Sequence, residues 1–165
     1  MLRRMIVPAC SALVALVVAT GLEASSNTAG VNASATVSGR CVVTTSPLAF
    51  GQYDPLSTHG TATLDAASAV SVSCTKGVSA TIVLDAGTHA SGATRRMANG
   101  TSYLTYDLFQ DAAHLTRWSS TGSQLSIAKS TSMSARSFAV YGVIAAGQVV
   151  PTGDYSDSIT VTVNY

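Results

Sequence analysis

Any chemistry in this 165-residue chain would rest on three histidines, two cysteines beyond residue 24, and its abundant hydroxyls. His59, His89 and His114 stand in separate polar segments, with neither an HExxH motif nor the paired Cys/His spacing that converges on a metal. There are 23 serines and 20 threonines, yet no G-x-S-x-G turn presents one as a nucleophile, and the acidic residues are scattered. No enzyme, metal or cofactor is therefore expected. Arg95-Arg96, in a polar stretch with Gly92, reads as part of a solvated loop, and the lone Trp118 as core. Asn32-Ala33-Ser34 and Asn99-Gly100-Thr101 are glycan acceptor sequons, meaningful only if the secreting cell glycosylates them.

Compartment comes next. Arg3 and Arg4 precede an apolar run from Met5 to Ala19 and then small residues, the layout of a secretory signal. The run is short for a spanning helix, which needs about 20 apolar residues. Cleavage is expected after Leu22-Glu23-Ala24, with Ala19-Thr20-Gly21 as the alternative, so residues 1–24 read as a removed signal and no membrane insertion follows. Cys10 leaves with it. Cys41 and Cys74 remain, an even pair in an exported chain that reads as one disulfide. Taking two of the nine basic and one of the eight acidic residues away with the signal leaves seven of each. Charged residues are 10% of the chain, against roughly 25% in ordinary domains. The surface is therefore hydroxyl and amide rather than ionic, with no basic footprint for nucleic acid.

The elements are short alternating runs between turn signals, the pattern of an all-β sandwich. Ala29, Val31, Ala33, Ala35 and Val37 alternate with Gly30, Asn32, Ser34 and Thr36, giving one apolar face of small side chains. Cys41–Phe50 reads as the next strand, followed by strands around Val70–Cys74, Ala80–Leu84 and Tyr103–Leu108. Thr88–Met97 reads as a polar loop, Asp111–Trp118 as a turn, and Ser119–Ser134 as a Ser/Thr-rich segment of open pairing. Phe138–Ile144 is apolar enough for burial on both faces. Ile159, Val161, Val163 and Tyr165 alternate with Thr160, Thr162 and Asn164, so the sequence given ends on a strand residue.

The ordered set Cys41-Val42-Val43, Leu48-Ala49-Phe50-Gly51-Gln52-Tyr53-Asp54-Pro55, Val72-Ser73-Cys74-Thr75-Lys76-Gly77, Arg96-Met97, Leu104-Thr105-Tyr106-Asp107-Leu108 and Gly153–Tyr165 resembles the spore coat protein U domain. That is the subunit family of archaic (Csu-type) chaperone–usher pili. The resemblance implies an incomplete immunoglobulin-like β-sandwich lacking its last strand, completed by donor-strand complementation. A periplasmic chaperone would fill the gap first. At the outer-membrane usher, the N-terminal extension of a neighbouring pilin subunit would replace it, head-to-tail, giving a surface pilus for adhesion and biofilm formation. Carried onto this sequence, residues 25–40 are the donor extension and 41–165 the pilin domain. Ala29, Val31, Ala33, Ala35 and Val37 form the donor face, Ile159, Val161, Val163 and Tyr165 line one side of the acceptor groove, and Cys41 and Cys74 match the disulfide.

The residues alone leave a second reading open. Ala29–Val37 would then be the first strand of a complete sandwich, and the protein a self-contained secreted module binding a surface carbohydrate or protein.

Overall fold

The computed structural model describes residues 25–165; the export signal expected over 1–24 lies outside them. The chain divides into two compact units at Ala35/Thr36. In the first, residues 25–35 carry no strand and are exposed.

The second unit is an all-β sandwich of two antiparallel sheets. Its strands are β1 (Cys41–Thr45), β2 (Leu64–Cys74), β3 (Ala80–Leu84), β4 (Arg95–Asn99), β5 (Ser102–Phe109), β6 (Leu125–Ile127), β7 (Arg136–Ile144) and β8 (Val161–Asn164). One sheet has the order β1-β2-β7-β5-β4 and the other β6-β3-β8. Alternation decides which face turns inward. Val70, Val72 and Cys74 of β2 are buried against Ala80, Ile82 and Leu84 of β3, and Leu104, Tyr106 and Leu108 of β5 against Val140 and Ile144 of β7. Each fully buried aliphatic side chain stabilises the fold by about 1.5–3 kcal/mol.

Trp118 has no exposed surface, in keeping with a core role. Its backbone N–H donates to Leu108 O (2.8 Å) and its indole Nε1–H to Ile82 O (3.2 Å), so one residue ties the two sheets together. Cys41 pairs directly across β1–β2 with Cys74, and the two form a disulfide.

Several expectations are corrected. Arg95 and Arg96 do not sit in a solvated loop, because Arg95–Asn99 is β4, paired to β5, and Arg95 is only 2% exposed. The strand expected over Cys41–Phe50 stops at Thr45. Ser46 N–H still reaches Ala69 O (3.0 Å), but Pro47 has no N–H with which to continue the ladder. The Ser/Thr-rich segment contributes β6, which edges β3. β7 is buried on one face only, with Ala139 exposed and Tyr141 and Val143 part-covered. Tyr165 lies outside β8 and is 63% exposed.

Candidate functional site

The feature that sets this sandwich apart is an open cleft of about 500 Å³ along one side. One wall is Thr45–Leu48 with Phe50, where the chain has left β1. The other is Tyr155–Ile159 with Val161, leading into β8. Val70, Leu84, Leu108 and Val140 make an apolar floor. A second, wider cleft shares Leu48, Phe50, Met97 and Tyr155 with the first and continues beyond them toward Val149–Gly153.

The walls differ from ordinary strands in their backbone. Before β8 the chain bridges to the large sheet, where Ser156 and Ala98 exchange hydrogen bonds of 3.1 and 2.8 Å. It then crosses to the small sheet, where Ser158 O accepts from Thr88 N–H (3.0 Å) and Thr160 O from Asp85 N–H (3.1 Å). Successive residues of a strand aim their backbone groups at opposite edges. Ser158, Thr160 and Thr162 therefore face β3, and Ile159, Val161 and Val163 turn N–H and C=O to the outer edge. Among the described residues no strand pairs there. Their side chains, by the same alternation, point at the core and pack against it. Opposite, Leu48, Ala49 and Phe50 make no backbone–backbone hydrogen bond among the described residues. A gap with bare backbone on its β8 wall and apolar contacts beneath is shaped to take one extended segment.

Of the four residues expected to line an acceptor groove, Ile159 and Val161 are among those lining this cleft. Val163 packs on the core further along β8, and neither it nor Tyr165 lines the cleft. Ala29, Val31, Ala33, Ala35 and Val37 are exposed and carry no strand; Val31 is 93% and Val37 84% exposed.

A polar cluster is built around Asp157, which lines the cleft with Tyr106. The Asp157 side chain, only 2% accessible, accepts hydrogen bonds from Tyr106 Oη–H (2.8 Å), Thr88 Oγ1–H (3.0 Å) and His89 N–H (3.1 Å), with His89 Nδ1 also at 3.1 Å. Burial alone would push this carboxyl up. The donors from Tyr106, His89 and Thr88 outweigh it and hold Asp157 below the usual carboxylate range. Burial, and donation to Asp157, push the Tyr106 hydroxyl far up, so it stays a donor. The histidines are not brought together: His59 stacks on Tyr53 (5.2 Å between ring centres) and accepts Asp54 N–H at Nδ1 (2.8 Å), while His114 leans on Phe109. Among the described residues no three His, Cys, Asp or Glu side chains gather to hold a metal, and no helix is long and apolar enough to cross a membrane.

Sequence reasoning assigned no role to Leu48, Phe50, Asp157 or Tyr106, although all four lie in the motifs that carried the resemblance. The signal for Leu48 and Phe50 was Pro47, which ends the β1 ladder and frees the next residues to fill the cleft.

The fold and site define a class: a two-sheet β-sandwich with a disulfide across β1 and β2 and a strand-wide opening between its first strand and its last. Residues 27–162 match the family described as Spore Coat Protein U domain. "Protein U" of Myxococcus xanthus is 32% identical over 177 aligned positions, covering 96% of each chain. The chain belongs to the spore coat protein U domain family. Its fold is similar to one in the crystal structure of the CsuC–CsuE chaperone–tip adhesion subunit pre-assembly complex from archaic chaperone–usher Csu pili of Acinetobacter baumannii. The TM-score is 0.61 at 22% identity, and the match covers 79% of this chain and 40% of that one.

Proposed function

We propose that this protein is a structural pilus subunit that polymerises by donor-strand exchange into a surface fibre supporting adhesion and biofilm formation. The observation that carries the reading is the unpaired edge at Ile159–Val163 beside an open apolar floor. Residues 1–24 would direct export and be removed, residues 25–40 would be the donor extension, and 41–165 the accepting domain. Ala29, Val31, Ala33, Ala35 and Val37 would enter a neighbour's cleft, adding a strand beside β8.

The path of the chain favours a neighbour over the subunit's own cleft. Arg40 O accepts Thr75 N–H (2.8 Å) and Arg40 N–H donates to Thr75 Oγ1 (3.1 Å), prolonging β1 along β2, and Gly39 lies close against Val78. Residues 39 and 40 thus extend β1 beyond Cys41, at the end remote from Thr45, where the cleft begins. One donor and one acceptor per subunit make a head-to-tail contact, which propagates as an open fibre. Before exchange, an open cleft is an aggregation hazard. A periplasmic chaperone would cover it, and an outer-membrane usher would be where the neighbouring pilin takes over. The complex in which the structural relative was crystallised, a chaperone with a subunit, supports that partner.

The test exports the chain to a periplasm with and without residues 25–38 and reads unheated denaturing gels. Ladders of subunit multiples are expected only with the extension intact, and Val31→Arg should abolish them. Equally stable, soluble monomers from both versions would instead identify a self-contained binding module. A monomer that unfolds on truncation would make Ala29–Val37 its own first strand.

A further inference from the structure

Leu48 and Phe50 present an arrangement that strand exchange by itself does not require. Both line the cleft and both are half-buried against the core. They rest directly on the backbone of β7 at Gly142: a Cβ there would come within 2.7 Å of Leu48 Cδ2 and 2.7 Å of Phe50 Cζ. The neighbours of Gly142 on the same face, Val140 and Ile144, are large and buried, so this glycine is a seat cut into an otherwise filled surface. Phe50 is further fixed edge-on to Tyr106, with ring centres 5.9 Å apart at 69°, and Tyr106 is in turn held by Asp157 (2.8 Å). The chain thus fills part of its own cleft with two bulky side chains in a defined place. The segment read as the donor carries only alanine and valine on its apolar face.

We propose that Leu48 and Phe50 are specificity-determining plugs: by occupying the cleft over Gly142 they set the size of donor side chain that it admits. An incoming strand then meets a partly filled groove. Alanine and valine complete its packing, whereas a leucine at the matching position would overlap Leu48 or Phe50. Close-packed cores tolerate such an added volume poorly. The same device would let a subunit reject donors built with large side chains, discrimination by exclusion rather than by added attraction. The proposal rests on the strand-exchange reading above.

The experiment is a size swap in the exported chain, which carries both donor and acceptor. Ala29→Leu, Ala33→Leu and Ala35→Leu are each made alone and together with Phe50→Ala or Leu48→Ala, and multimers are quantified on unheated gels. At least one bulky donor should reduce the multimer-to-monomer ratio by roughly tenfold on the native acceptor. That donor should recover most of the loss when the facing plug is trimmed. Milder Phe50→Leu serves if Phe50→Ala gives no folded protein. Gly142→Ala, which lifts both plugs into the cleft, should reduce uptake of the native donor.

Absence of ladders from the unmodified chain would sink the exchange reading itself. Ladders from the unmodified chain with all three bulky donors accepted equally would overturn the plug proposal alone. So would rejection of a bulky donor that no trimmed plug restores.

Discussion

At the scale of single residues, Asp157 carries the most testable chemistry. Its carboxylate is almost wholly covered, yet it meets Tyr106, Thr88 and two groups of His89. Those donors make the charged form the better one in the folded protein, so its native pKa lies below the ordinary value of 3.8. The sign of the linkage follows. A depressed native pKa contributes stability that is complete above the unfolded value and is lost as pH falls through the native one. Asp157→Asn removes the charge with little change in shape, and hydrogen bonds to a charged group are worth about 1.5–3 kcal/mol each. The substitution should therefore lower unfolding stability by about 2–3 kcal/mol at pH 7, with the gap to the unmodified chain narrowing as pH falls below the ordinary 3.8 and through the native value. Denaturant titrations across that range decide it; a gap that persists unchanged into acid would mean that the side chain acts through packing alone.

At the scale of elements, β4 shows where sequence pattern fails and structure corrects it. Arg95 reaches inward from this edge strand and donates to Leu84 O (3.2 Å), Asp85 O (3.0 and 2.6 Å) and Trp118 O (2.8 Å), with Asp107 at 3.6 Å. Burial pulls its pKa down and Asp107 partly restores it. Beside it, Arg96 faces outward, covering the Tyr103 ring at 4.0 Å and donating to His89 O (2.9 Å). Lysine keeps the charge at either site but cannot reproduce the planar fork. Arg95→Lys should thus cost about 1–3 kcal/mol through buried carbonyls left unpaired, and Arg96→Lys less than about 1 kcal/mol. Equal losses in thermal or denaturant unfolding would count against the inward role. Strands whose inward residues are apolar, such as Ala80–Leu84 and Tyr103–Leu108, were legible because hydrophobicity alternates along them. β4 was not, since its inward residue is an arginine, and hydropathy cannot report a cation that pairs with backbone carbonyls. Gly100-Thr101 was the available clue: these two residues make the β4–β5 hairpin turn, with Asn99 opposite Ser102 and Gly100 at φ 60°. The cleft was half legible. Its β8 wall follows from alternation at Ile159 and Val161, but its other wall is irregular chain after Pro47, where no period exists to read.

At the scale of the whole molecule, the strand-exchange reading proposed above makes stability and assembly one problem. The cleft's irregular wall begins at the end of β1, and β1 is an edge strand paired only with β2, over five residues. Much of what keeps β1 in place is therefore the Cys41–Cys74 bond, which joins the two strands at the end remote from the cleft and closes a loop of 33 positions. A loop of that length is worth roughly 3–4 kcal/mol in the chain-entropy account, a large share of the 5–15 kcal/mol typical of a domain. If the strand-exchange reading holds, the share is larger still, because the sandwich then lacks the burial that a donor strand would supply. Replacing both cysteines by alanine should then do two things. The monomer should melt well below the parent, by ten degrees or more for a loss of this size, and its multimers should fall in proportion, because a freed β1 takes the Thr45–Phe50 wall with it. Melting curves of monomer and unheated gels of the same preparations separate the effects. A variant that melts lower yet still builds full ladders would show that donor binding rebuilds the wall by itself, with the disulfide serving only the subunit that waits for a partner.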